Sequence, residues 1–169
     1  MPSAIEIIHV RSEADAADVR ALARAFRAWN YDVLSDMTEI VDAYFDNHDF
    51  EGHLARLLTA CNPPQGECLL ARLEGMPAGI VTLQRRAPGE AEVNRLFVPD
   101  RARGHGIGRA LMTTLIDDAR ALGYHHLLLS TVDRFQAAIG LYRSLGFADD
   151  PRGDPPNVAV QVDLRLDLQ

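Results

Sequence analysis

Three closely spaced glycines, Gly104, Gly106 and Gly108, separate an apolar run from an amphipathic one. The run before them, Val93-Asn94-Arg95-Leu96-Phe97-Val98, is strand-like, and residues 109–122 carry a helical period. A strand, a bare turn and a helix in this order bring free backbone N–H groups and the positive end of a helix dipole to one place. Such a place suits an anion, above all a diphosphate. Arg101, Arg103 and Arg109 add positive charge around it. Two familiar phosphate motifs fail on spacing. A P-loop needs Lys after its second glycine, but Arg109 follows Gly108 and the chain contains no lysine. A dinucleotide fingerprint needs its third glycine one residue later than Gly108.

The remaining chain reads as alternating strands and helices. Residues 5–10 form a first strand. Ser12 caps a helix over residues 14–29, with Val19, Leu22, Phe26 and Trp29 on one face. Residues 36–58 form a second helical region with a break near residues 47–50, and Pro63-Pro64 ends it. Strands over 67–73 and 77–84 are joined by the hairpin signal Glu74-Gly75-Met76, and a third strand spans 92–98. The helix after the glycines stops at Gly123. Residues 126–131 are a continuous apolar strand, 136–145 a helix closed by Gly146, 148–156 an acidic turn-rich stretch, and 158–166 a last strand. The order β-α-α-β-β-β-α-β-α-β is mixed α/β with an antiparallel start, expected to fold as one domain over residues 1–169.

Charge narrows the class of partner. A formal net charge of −7 argues against a nucleic-acid binder. No apolar run reaches the length of a membrane span, and the first residues carry no signal-like core, so the expected location is cytoplasmic. Cys61 and Cys68 have neither zinc spacing nor a disulfide expected in a reducing compartment, and no metal site is expected.

The spacing that does fit the glycine loop is Arg103-x-x-Gly106-x-Gly108, flanked by Glu92 to Pro99 and by Arg109-Ala110-Leu111. A second block, Ala138-Ile139-Gly140-Leu141-Tyr142-Arg143-Ser144-Leu145-Gly146-Phe147, follows at a suitable distance. Together they resemble the GNAT superfamily of acyl-CoA-dependent N-acyltransferases, firmly over residues 92–147. The resemblance implies a single GNAT-like domain. Its central twisted sheet is mostly antiparallel, its fourth and fifth strands are parallel and splay apart, and helices cover both faces. Acetyl-CoA, the implied cosubstrate, enters the gap, and an amine acceptor meets it there. The resemblance also admits a homodimer.

It further implies residue roles. Backbone groups of Gly104, His105, Gly106, Ile107, Gly108 and Arg109, with Arg103 beside them, cradle the pyrophosphate. Leu96, Phe97 and Val98 pair with the pantetheine arm. Tyr142 protonates the departing sulfur, or else only completes the apolar stripe of Phe135, Ala138, Ile139 and Leu145. Glu92 is the general base, or else a surface carboxylate paired with an arginine. One position departs from the family: its usual Asn, seven residues before the tyrosine, is Phe135 here. Residues 31–51 hold seven acids and no arginine, readable as a solvated helix face or as an acidic wall for a cationic amine. The expected reaction is acetyl transfer from acetyl-CoA to a primary amine by direct attack in a ternary complex, with a small cationic amine as acceptor. A peptide N-acetyltransferase and a non-catalytic acyl-CoA-binding module are the alternatives.

Overall fold

The computed structural model describes residues 4–47, 49–152 and 160–169. The strands among them are β1 (Ile5–His9), β2 (Glu67–Leu73), β3 (Met76–Ala87), β4 (Glu90–Phe97), β5 (His126–Val132), β6 (Ala148–Asp149) and β7 (Gln161–Asp167). The helices are α1 (Glu13–Val33), α2 (Thr38–Asn47), α3 (Phe50–Ala55), α4 (Leu57–Ala60), α5 (Ile107–Ala121) and α6 (Gln136–Ser144). They agree with the sequence reading in kind and differ from it at edges. Ser12 does cap α1, its hydroxyl accepting the Asp15 amide at 3.1 Å, but the helix runs on to Val33. The region 36–58 divides into three helices, with Asp49 in a left-handed conformation (φ 45°) at the start of α3. Helix α5 begins at Ile107, so Ile107 and Gly108 are its first turn rather than part of the loop. The expected last strand starts late: Val158 and Ala159 lie outside the described residues, and β7 opens at Gln161.

Seven strands form one sheet in the order β1-β2-β3-β4-β5-β7-β6. Every neighbouring pair is antiparallel except β4 and β5. Glu74 and Gly75 turn β2 into β3 with positive φ at both positions (52° and 83°), the geometry that matches strand twist in a tight hairpin. Alternation along β2 sends Leu69 and Ala71 to one face and Cys68 and Leu70 to the other. On the first face lies α5, whose Ile107, Leu111 and Leu115 recur at four-residue spacing and are fully buried or nearly so. The second face is covered by α1 to α4, with Val19, Ala23, Phe45, Phe50 and Leu54 among its buried residues.

Gly79 sets how closely α5 approaches the sheet. A Cβ there would lie 2.9 Å from Ile107 Cγ2, 3.0 Å from Leu111 Cδ1 and 3.3 Å from the Phe97 carbonyl oxygen. Gly79→Val overpacks this contact and is expected to destabilise the fold by about 1–3 kcal/mol. A urea titration measures it; an unchanged midpoint would show that the helix moves freely off the strand.

Candidate active site

Parallel pairing between β4 and β5 lasts only from Glu90↔His126 to Glu92↔Leu128. Beyond it, β4 stays with β3 as far as Phe97 and β5 stays with β7 as far as Val132. The two strands therefore part after Glu92. A cavity of about 1280 Å³ occupies the gap, with Val93 to Val98 on one wall and Leu129 to Val132 on the other.

The glycine loop forms one end of this cavity. Gly104 and Gly106 have φ of 84° and 78°, and a Cβ on either would meet nothing within 4 Å. The left-handed backbone, not crowding, is what calls for glycine there. Among the described residues, none of the main-chain amides from 104 to 109 donates to a protein acceptor; the first bond of α5 runs from the Ala110 amide to the Gly106 carbonyl at 3.0 Å. A row of free N–H groups at a helix N-terminus, beside bare backbone, fits a pyrophosphate. The arginines serve the loop in different ways. Arg103 Nε donates to the Val98 carbonyl at 3.0 Å, and its guanidinium pairs with Asp100 at 2.8 Å and lies 5.3 Å from the Trp29 ring. Arg109 donates to Ser144 Oγ at 2.8 Å, tying α5 to α6. Arg101 points away, to the Pro77 carbonyl.

The chain matches the acetyltransferase (GNAT) family over residues 34–147. It belongs to that family. An uncharacterized N-acetyltransferase from Schizosaccharomyces pombe is 33% identical over 148 residues, covering 86% of this chain and 84% of the yeast protein. The fold is that of the PaiA N-acetyltransferase of Thermoplasma acidophilum, solved in complex with coenzyme A: TM-score 0.72, 16% identity, 98% of this chain and 99% of that one. YncA from Salmonella typhimurium, solved with its cofactor acetyl-CoA, aligns with a TM-score of 0.66 at 24% identity over 98% and 95% of the two chains. This GNAT protein is thus an acyltransferase, and acetyl-CoA is its cosubstrate. None of its described helices is long and apolar enough to cross a membrane.

Of the residues singled out in the GNAT motifs, Tyr142, Glu92, Leu96, Phe97, Val98, Arg103, Gly104, Gly106, Ile107, Gly108 and Arg109 all line the cavity; His105 does not. Tyr142 comes from α6, its ring 5.8 Å from that of Phe147. It is buried, and burial pushes its phenol well above the usual tyrosine range, with Tyr44 nearby adding to the effect. Its hydroxyl makes no hydrogen bond to a described residue, yet no fully buried side-chain oxygen is left unsatisfied, so the hydroxyl opens to the cavity. Glu92 sits at the point of divergence, 3.6 Å from Arg86. Glu92 is therefore an ion-paired carboxylate that also lines the cavity. Phe135, where the family usually has Asn, packs its ring 5.0 Å from Trp29 and makes the wall apolar.

The acidic segment mostly turns elsewhere. Asp36 takes both arms of Arg134 at 2.7 and 3.0 Å, Asp49 pairs with Arg56, Glu51 with Arg24 and Arg27, and Asp42 accepts from the Tyr31 hydroxyl. Of the seven acids in this segment only Glu39 lines the cavity, from an exposed position at its rim. Sequence reasoning passed over Arg95 and Asn94, which also line it. The signal was present for Arg95, a charged residue inside the apolar run 93–98. Away from the cavity, His9, Glu67 and Asp118 gather potential ligand atoms within 4.8 Å of one another. Arg11 already grips both Glu67 oxygens, at 2.7 and 2.9 Å, which disfavours a cation there.

Proposed function

We propose that this GNAT protein acetylates the primary amino group of a small molecule that is cationic in solution, by direct attack in a ternary complex. The observation that carries this is the splay itself, which places Glu92 and Tyr142 on the walls of a single cavity leading from the glycine loop. The free amides from 104 to 109 hold the pyrophosphate, and the β5-facing edge of β4 beyond Glu92 meets the pantetheine arm. Glu92 accepts the proton that the ammonium must lose before nitrogen can attack. The new N–C bond forms as the C–S bond breaks, a β4 main-chain N–H steadies the negative charge on the carbonyl oxygen, and the Tyr142 phenol passes its proton to sulfur. Holding both substrates in one cleft supplies much of the acceleration. Two features favour direct attack over an acylated enzyme: Cys61 and Cys68 are buried and lie outside the cavity wall, and the chain has no lysine.

The test is release of the CoA thiol from acetyl-CoA across a panel of small amines and basic peptides, with initial rates measured against both substrates. Intersecting double-reciprocal lines are expected for a ternary complex, and parallel lines would replace it with a covalent route. Tight binding of acetyl-CoA without turnover of any amine would instead make the protein a binding module. Glu92→Gln is expected to lower kcat/KM by roughly 10²–10⁴ and to flatten the acidic limb of its pH profile. An unaltered profile would move the base elsewhere.

A further inference from the structure

Strand β4 carries an irregularity with a chemical consequence. Between the pairs Thr82↔Asn94 and Ile80↔Phe97, β3 advances two residues while β4 advances three. The extra residue is accommodated at Arg95, which takes a left-handed φ of 56°. No glycine relieves that conformation, so the backbone holds a non-glycine residue in a strained state to aim its side chain. Before the bulge, Glu92 lies opposite Gln84, whose amide reaches His53 of α3. After the bulge, Arg95 also faces α3, its guanidinium carbon 5.3 Å from the centre of the Phe50 ring. Glu92, Asn94 and Arg95 thus share the face covered by α1 to α4, where strict alternation would have sent Arg95 to the other.

Arg95 is only 6% exposed, and what remains exposed opens to the cavity. Among the described residues it forms no ion pair and no side-chain hydrogen bond; its one charge-stabilising contact is the Phe50 ring. Glu92, the nearest cavity carboxylate along the strand, is paired with Arg86 instead. A buried cation without a counter-charge is costly, and buried charges are ordinarily paired. Tyr44 lies close enough to feel the charges of both Arg95 and Glu92, and Tyr142 feels Tyr44 in turn. The unpaired guanidinium is therefore in the same chamber as the groups proposed to move protons. The Phe50 ring also carries the Arg27 guanidinium, 4.7 Å from its centre, but that cation has a counter-charge of its own in Glu51.

We propose that Arg95 binds a carboxylate on the acceptor, so that the preferred amine is a small zwitterion of the amino-acid type. The inference rests on the transferase reading for the word acceptor, but the binding site stands on geometry of its own. One unpaired guanidinium balances one negative charge, which favours a carboxylate over a phosphate dianion. Glu92 takes the ammonium end and Arg95 the carboxylate end, and the bulge is what puts both on one wall. The reacting end is still an ammonium, but the molecule as a whole is neutral, which narrows the cationic acceptor to a zwitterion selected by the arginine rather than by the acids of residues 31–51.

The only tryptophan, Trp29, lines the cavity and reports binding by its fluorescence. The common α-amino acids and their α-carboxamides are titrated into the protein saturated with CoA, and the same pairs are assayed for thiol release from acetyl-CoA. At least one acid is expected to bind about 10- to 100-fold more tightly than its carboxamide, the range of a charge-assisted hydrogen bond. Arg95→Met is expected to remove that difference while leaving the affinity for acetyl-CoA, read by calorimetry, unchanged. Arg95→Lys, which keeps the charge, is expected to retain part of it. Equal binding of acids and carboxamides by the wild-type protein, or binding of neither, overturns the proposal without recourse to any variant. Acid-selective binding without thiol release leaves this site standing and removes the transferase reading. Thiol release with acids and carboxamides used alike does the reverse.

Discussion

Gly106→Glu is expected to lower affinity for acetyl-CoA by roughly 10²–10⁴ while the protein remains folded. Gly106 caps α5 with φ 78°, and a side chain there has open space around its Cβ. The change therefore costs only the strain of a left-handed residue, about 1–2 kcal/mol, and no clash. Its larger effect is electrostatic. The carboxylate sits among the free amides of residues 104–109 and competes for the place of the pyrophosphate. Loss of two charge-assisted hydrogen bonds at about 1.5–3 kcal/mol each accounts for the range. Calorimetry with acetyl-CoA measures it, and Gly106→Ala separates backbone strain from charge. An unchanged Kd in the glutamate variant would remove the loop from the binding site.

Tyr142→Phe is expected to reduce kcat by roughly 10²–10⁴ with little change in the Kd for acetyl-CoA. The ring packs against Phe147, so phenylalanine preserves the contact and deletes only the hydroxyl. Burial disfavours the phenolate and raises the phenol above its ordinary pKa of about 10. The sign follows directly. As pH rises, the proton stays on Tyr142 until beyond that ordinary value, so titration of this group produces no fall in wild-type kcat below about pH 10. A phenylalanine variant with the wild-type rate would reduce Tyr142 to a packing residue.

The strands and helices were legible because their side chains repeat at two clean periods, as in Leu69 and Ala71 on β2 or Ile107, Leu111 and Leu115 on α5. The anion loop was legible because glycine takes the left-handed conformations at 104 and 106 without the strain that other residues meet there. What local pattern could not show were long-range choices. The overrun of α1 to Val33 depends on how α1 to α4 cover one face. Parallel pairing that stops at Glu92 leaves no mark in the apolar runs on either side. The bulge at Arg95 lacks the glycine that would announce it, and strict alternation would have assigned that side chain to the wrong face. Nor could spacing reveal that Asp36 is neutralised by Arg134, 98 positions away. An acid-rich segment looks like a cationic binding wall until its partners arrive from elsewhere in the chain.

The brevity of the β4–β5 contact has a mechanical side. On one flank stand β1 to β4, on the other β5 to β7, and three residue pairs stitch them together. The narrow join between the two flanks therefore lies at the mouth of the cavity. Prising the flanks apart there breaks few main-chain bonds, which gives the architecture a natural hinge where substrates must come and go.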